Sequence, residues 1–423
     1  MIFDEASQCP IEYAVPAIYR ARSVIVSGDG KQLPPTSFFS TKSKADQDDE
    51  DEQDEDSSDA TVSHEERQLR QINAEFMTGV EDLLEASIGN LRSTRLLVHY
   101  RSEHPDLIQF SNRAFYLGQL EAPPARMNAN STPPIQYRYI HDGIYDNRTN
   151  RKEAHEVVQL LKGIWGDVES PTIGVVPFNQ PQRELIEDLI AKECQTDAEF
   201  STRFQQELAR KEEKQDVGFF VKNLENVQGD ERDMMIFSTT FGPDGKGSFY
   251  RRFGPVGAER GERRLNVAVT RAKQKIVIVS SMPIDKISET LSASASPGMN
   301  LKPRCYLQLY LAYARAVSSG DREEVQRILS RLSRGGSELT IQPGPDSPLE
   351  EEVLSELQKL GLVVECQIGE SGFRIDLAVR HSKPDRGYIL GIECDSATYH
   401  SDRAAHLRDV WRESILRERG WQI

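Results

Sequence analysis

Cysteine is sparse in this chain. There are five among 423 residues, and none of Cys9, Cys194, Cys305, Cys366 and Cys394 lies in a CxxC pair. That spacing argues against a zinc site and fits a reduced, cytosolic setting. No segment approaches the roughly 20 apolar residues that cross a bilayer. The first residues lack the basic region and short apolar stretch of a secretory signal. There is no internal repeat. Net basic charge is also lacking, since the formal charge is −15. Much of the acid is concentrated in Asp46 to Asp59, DQDDEDEQDEDSSD, with ten carboxylates and no base. Such a block is expected to be disordered and self-repelling. Basic clusters remain at Arg251-Arg252 and from Arg260 to Lys275, so the overall sign does not exclude a phosphate-rich partner.

What is present is an alternation of strands and helices. Residues 1 to about 40 read as strand, helix, strand and turn, with SVIVSGDGKQLPP as a β-branched run ending in a Gly-rich loop and a Pro pair. The acidic block follows as an insertion, and residues 65 to 90 have helical spacing. From Arg95 onward, STRLLVHYRS, TIGVVPF, RDMMIFSTTF and QKIVIVSS read as strands. HPDLIQFSNRAFY, EAHEVVQLLKGIW and NQPQRELIEDLIAKE read as helices. This rhythm predicts α/β units with a parallel sheet covered on both faces. Residues 285–347 lose it and read as a linker with one helix, YLQLYLAYARAV. A further unit over 348–423 reads helix, three strands and helix, and stops at what looks like the start of another strand.

Two short acidic motifs stand at strand tips near the start. In MIFDEASQ, Asp4 can ligate Mg²⁺, which binds a triphosphate through few protein oxygens, and Glu5 can polarise a water. An isolated DEAS also fits a helix N-cap with acids in its first turn. In SGDGKQLPP, Asp29 and Gln32 share a loop, and the Gln amide can both donate to and accept from a γ-phosphate.

FDEASQ and GDGKQLPP together resemble motifs II and III of superfamily 1 helicases, close to the nonsense-mediated-decay group. The later motifs follow in order. LLVHYRSEHPDLIQFSNRAFY resembles the segment with the first arginine finger, IGVVPFNQPQ a strand-and-turn element of the second RecA-like domain, VKNLENVQGDERDMMIFS motif V, and RRLNVAVTRAK motif VI. The match covers about residues 1–282. It implies a partial first RecA-like domain over 1–94, with the acidic insertion at 46–59, and a complete second one over 95–284. It also implies ATP and Mg²⁺ as cofactors, and single-stranded or duplex DNA, or RNA, as partner. In the roles it implies, Arg101 and Arg271 reach the γ-phosphate. Gly229 allows a close backbone approach, and Glu231 contacts the ribose. Gln228 and Arg264 couple nucleotide state to strand grip. Arg264 also fits a plain surface base. Phosphoryl transfer is largely positioning and charge neutralisation, which suits this set, and planar guanidinium groups favour multidentate phosphate contacts.

The sequence departs from the family pattern in one respect: no GxxxxGK[ST] loop is present, although such a loop normally precedes motif II and cradles the phosphates. The resemblance therefore predicts the later portion of a longer helicase, with a missing N-terminal half as partner and little ATP hydrolysis alone. Alternatives are a non-motor module that binds nucleic acid, and a metal-dependent nuclease with the motor part as platform.

The last unit has its own acids. Glu350 lies on a helix, Asp376 in GFRIDLAV, and Glu393 and Asp395 on one face of the next strand. Acids on otherwise apolar strands are costly unless they bind metal or pair. The order resembles the PD-(D/E)xK restriction-endonuclease-like fold, in the branch related to very-short-patch-repair endonucleases. It implies Asp376 and Glu393 as ligands of Mg²⁺ or Mn²⁺ and Glu350 as a supporting acid. Asp395 stands where that superfamily has Lys. His400 could substitute, although a lone His is more often structural. A buried polar network in a degenerate nuclease fits the same acids.

Overall fold

The computed structural model describes residues 1–33, 82–124, 133–167, 169–213, 215–258, 260–288, 301–332, 344–369, 373–383, 387–394 and 403–423, with the backbone alone for 403–409. The acidic block, most of the 65–90 helix, Asp395 and His400 lie outside these residues. The chain divides into two compact units, Met1–Arg95 and Leu96–Ile423.

In the first unit, strand β1 (Ile2–Phe3) pairs in parallel with β2 (Ile25–Val26), Ile2 opposite Ile25 and Phe3 opposite Val26. The helix Ile11–Ile18 connects them, as a parallel crossover requires. A second helix, Leu83–Ile88, starts at Asp82, whose carboxylate accepts from Glu85 N. Ala6, Ala14 and Leu83 form a small core with Phe3, Ile18, Val26 and Leu84 around it.

The second unit is built on five parallel strands in the order β3-β11-β10-β6-β9. These are β3 (Ile135–Tyr139), β6 (Ile173–Pro177), β9 (Phe220–Val221), β10 (Arg232–Ser238) and β11 (Ala272–Ser280). Between them lie two short hairpins, β4 (Tyr145–Asp146) with β5 (Thr149–Asn150), and β7 (Lys211–Glu212) with β8 (Gln215–Asp216). All five residues of β6 are buried, as expected for a parallel strand covered on both faces. The helix Arg151–Trp165 opens with an Asn150 cap accepting from Glu153 N, and its buried positions Ala154, Val157, Val158, Leu161 and Trp165 keep helical spacing. They join Ile173, Val175, Ile186, Ile236, Val277 and Val279 in the main core.

Glu153 is fully buried. Its carboxyl accepts from Thr240 N and Ser281 N, both at 2.7 Å, and from the Ser238 hydroxyl at 2.8 Å. Burial pushes it up to about 7 against those donors. The network ties together the C-terminal ends of β10 and β11.

Three local readings are revised by the structure. STRLLVHYRS is not a strand in the sheet. It is extended, with one parallel bridge from Val98 to Glu121, and Leu96 and Tyr100 are exposed. The sheet position beside β11 belongs instead to Ile135–Tyr139, a stretch with no strong apolar run. Residues 301–332, expected as a linker with the one helix YLQLYLAYARAV, form that helix as Pro303–Ser319 and a second one, Arg322–Leu332. Tyr310 and Tyr313 of the first are fully buried, and Tyr313 donates to the Asp106 carbonyl at 2.8 Å. That burial is fixed by partners distant in sequence, so local composition misses it.

The remaining strands, β12 (Val364–Ile368), β13 (Ile375–Arg380) and β14 (Tyr388–Ile392), form an antiparallel sheet in that order. The helices Pro348–Lys359 and Arg403–Glu418 flank these strands in sequence. Gly391 N donates to Gln422 O at 2.7 Å, and Trp421 stacks on Tyr388 with centroids 5.4 Å apart. The final residues therefore add to the β14 side of the sheet. Among the described residues, no helix is long and apolar enough to cross a membrane.

Candidate functional site

In the first unit, β1 and β2 run in parallel, so both motif loops emerge at the same edge. Ala6 N donates to Ser27 O at 2.8 Å and pins one loop to the other. A Cβ on Gly28 would stand 3.1 Å from the amide nitrogens of Ala6 and Ser7, so a side chain there would crowd the junction. Asp4 is exposed, and its Oδ1 accepts from Glu5 N at 3.0 Å. Glu5 has a φ of 50°, an uncommon backbone for a non-glycine residue that is worth a functional reading. Asp29 organises its own loop, accepting from Lys31 N at 2.8 Å and from the Gln32 amide at 3.1 Å. Asp4, Glu5, Asp29 and Gln32 thus share one strand edge. Exposed carboxylate oxygens at strand tips are the hard donors that suit Mg²⁺.

In the second unit, the sequence-selected cations and acids gather at the N-terminal ends of β10 and β11. Glu231 immediately precedes β10, and Arg271 immediately precedes β11. Arg101 Nε donates to Glu231 Oε2 at 2.5 Å, and Lys273 Nζ lies 3.3 Å from Glu231 Oε1. Burial alone would raise the Glu231 carboxyl, but Arg101 and Lys273 outweigh it and hold it below the ordinary value. Arg101 also reaches Thr270 O at 3.5 Å. Arg271 is buried, with its Nε donating to Val267 O at 2.9 Å. Its guanidinium is thus anchored to the helix Gly261–Val269, which the sequence analysis did not define.

His99 lies beneath this cluster. Its Nε2 accepts from Ser102 N at 3.2 Å and sits 2.8 Å from the Ser102 hydroxyl. Burial, followed by Arg101, Arg419 and Arg271, drives it down to about 3, so it is neutral at physiological pH. Three guanidinium groups therefore act on one half-buried ring.

The turn Val227–Asp230 closes through Asp230 N to Val227 O at 3.2 Å, with Gly229 at φ 86°. A turn with positive φ at its third residue favours glycine there, and open space surrounds the Gly229 Cβ position. Gln228 lies in this turn. Arg264 donates to Glu225 at 3.1 Å, which brings it beside the same segment. Arg101, Gln228, Gly229, Glu231, Arg264 and Arg271 are thus gathered on neighbouring elements. Lys273 was not selected from the sequence, although its place two residues after Arg271 and its charge were visible there.

The C-terminal acids are differently engaged. Glu350 is buried and closes a capping box. It accepts from Asp346 N at 2.8 Å and from the Ser347 hydroxyl at 2.9 Å, while its own amide donates to Ser347 Oγ. Gln367 Nε2 donates to it at 2.8 Å. Asp376 accepts from Cys394 N at 2.8 Å. Burial raises its carboxyl, and Glu350 adds to that, against Arg412 and Arg374. Glu393 is held by two bonds from Arg412, at 2.8 and 2.9 Å. Among the described residues, no group of three or more His, Cys, Asp or Glu side chains could hold a metal ion. Glu350 and Glu393 are thus engaged by protein donors, and Asp376 by one amide. The Ser-x-x-Glu pattern that assigns Glu350 to a helix cap is legible in SPLE.

Comparison with known proteins finds two family matches along the chain. Residues 77–283 match the AAA domain family, and residues 349–423 match the REase_MTES_1575 family. An uncharacterized ATP-dependent helicase of Mycoplasma pneumoniae is 29% identical over 431 residues, covering 100% of this chain and 34% of its own length. One of Mycoplasma genitalium is 33% identical over 81% of this chain and 28% of its own. The probable helicase senataxin of Homo sapiens is 26% identical over 67% of this chain and 9% of its own. The chain thus spans about a third or less of the length of these curated relatives. The chain thus carries an AAA-family domain over 77–283 and a REase_MTES_1575 domain over 349–423, and the relatives it resembles are named as ATP-dependent helicases or as the probable helicase senataxin.

Proposed function

We propose that this chain carries the later motor portion of an ATP-dependent nucleic-acid translocase. Asp4 and Glu5 would hold Mg²⁺ and orient the attacking water. Gln32 would report the γ-phosphate, and Arg101 and Arg271 would neutralise charge on the transferring phosphoryl group. Mg²⁺ supplies charge neutralisation on the phosphate oxygens when bound. Glu231, held by Arg101 and Lys273, would receive the ribose, and the Gln228–Gly229 turn with Arg264 would link nucleotide state to grip on the strand. The observation that carries this reading is the convergence of Arg101, Glu231 and Arg271 at the starting ends of β10 and β11.

The sequence supplies no phosphate-cradling GxxxxGK[ST] loop, so turnover by this chain alone should be near background. Mixing it with a separate polypeptide that carries such a loop and the earlier motor strands should restore ATP hydrolysis stimulated by single-stranded DNA or RNA. Arg271→Ala should remove that restored rate by about a hundred-fold or more, the scale of losing a transition-state cation. Equal turnover with and without Arg271 would overturn the assignment.

A second reading concerns the terminal domain. The Arg412–Glu393 pair and the capping role of Glu350 favour a terminal domain that does not cut.

A further inference from the structure

We infer that Arg419, on the tail of the restriction-endonuclease-like domain, is a positioning residue for Arg101, so that this domain sets the geometry of the proposed nucleotide site. The inference rests on the nucleotide-site reading above.

The segment that carries Arg101 has few sheet bonds of its own. Its backbone is secured by Glu121 N to Leu97 O and His99 N to Glu121 O, both 2.8 Å, and beyond Arg101 by Glu103 N to Lys273 O at 2.7 Å. Between these anchors lies the carbonyl of Tyr100, the residue before Arg101, and Arg419 donates to it. Arg419 is half-buried and near Glu103. The same contact region is fixed at two other points. Val98 packs into the terminal-domain core of Phe373, Ile375, Ala378, Tyr388, Leu416 and Trp421. The Trp421 indole donates to Pro124 O at 2.9 Å, just after Glu121. The terminal domain therefore grips both strands of the Leu97–Glu121 pairing.

A contact that holds a catalytic arginine in one geometry must respond when nucleotide binds to that arginine, because coupling free energy is reciprocal. Hydrogen exchange on the whole chain, mixed with the separate polypeptide that supplies the phosphate loop, tests this. Arg419→Ala should speed exchange of the Leu97–Glu103 amides and weaken binding of a fluorescent ATP analogue with Mg²⁺ by about five-fold or more. Arg419→Lys, which keeps charge and donor, should recover part of both. In the wild type, the analogue should slow exchange at Arg419–Trp421, a change that a purely structural contact would not show. The inference is overturned if Arg101→Ala and Arg271→Ala lose the analogue while Arg419→Ala changes neither binding nor exchange. If the wild type binds no analogue, or binds it independently of Arg101 and Arg271, the nucleotide-site reading fails and the positioning role falls with it. Faster exchange in Arg419→Ala would then report packing alone.

Discussion

Replacing Glu153 by Gln should change how stability depends on pH. In the unfolded chain this carboxyl loses its proton near its ordinary value of 4.5, whereas in the folded state burial holds it to about 7. Between those values the folded state binds the extra proton, so its stability falls as pH rises through the window and levels off above it. The difference corresponds to about 3 kcal/mol. Below pH 4.5 this group contributes no penalty. The carboxyl oxygens accept from Thr240 N, Ser281 N and the Ser238 hydroxyl. The Gln amide nitrogen cannot accept. Glu153→Gln therefore leaves one buried N–H unpaired and should destabilise at every pH by about 1–3 kcal/mol, with the Glu153 part of the pH slope gone. Urea unfolding followed by circular dichroism from pH 5 to pH 8 gives both curves. Parallel curves for the wild type and Glu153→Gln would show that this carboxyl titrates normally and would refute the reasoning.

Two further outcomes follow from close geometry. Gly261→Ala would place a Cβ 2.1 Å from Val256 O, a backbone atom that cannot swing aside. It should destabilise by about 1–3 kcal/mol and disturb the helix that anchors Arg271, measured as a lower melting temperature. At the terminal domain, the wild-type chain should nick no DNA in Mn²⁺, and Arg412→Ala should leave Glu393 without its bidentate partner and lower the stability of that domain. Nicking that disappears in Asp376→Ala would sink the non-cutting reading.

The central sheet was legible because parallel strands buried on both faces leave continuous apolar runs, as in TIGVVPF and RDMMIFS. The candidate residues could be picked out because they fall in the quoted motifs; Glu231 and Arg271 stand next to strand ends, whereas Arg264 lies in the helix Gly261–Val269. Ile135–Tyr139 was not, because IQYRY mixes polar and aromatic residues and owes its strand to pairing with β11. The helices Ala198–Leu208 and Arg322–Leu332 were also missed. Each depends on burying one face against chain remote in sequence. The acids of the last unit were found, but their partners were not. Arg412 is 19 residues from Glu393, and nothing local announces that pairing.

The helix Pro303–Ser319 has a practical consequence for dividing this protein. The AAA match ends at residue 283, yet Tyr310 and Tyr313 lie beyond it and are fully buried. Phe110 packs edge-on against Tyr310 at 5.1 Å. A recombinant boundary drawn at the end of the family match would leave a greasy scar along Phe110 and the β3 margin. Expression trials that stop near Leu332 should yield monodisperse protein, whereas those that stop at residue 283 should clump.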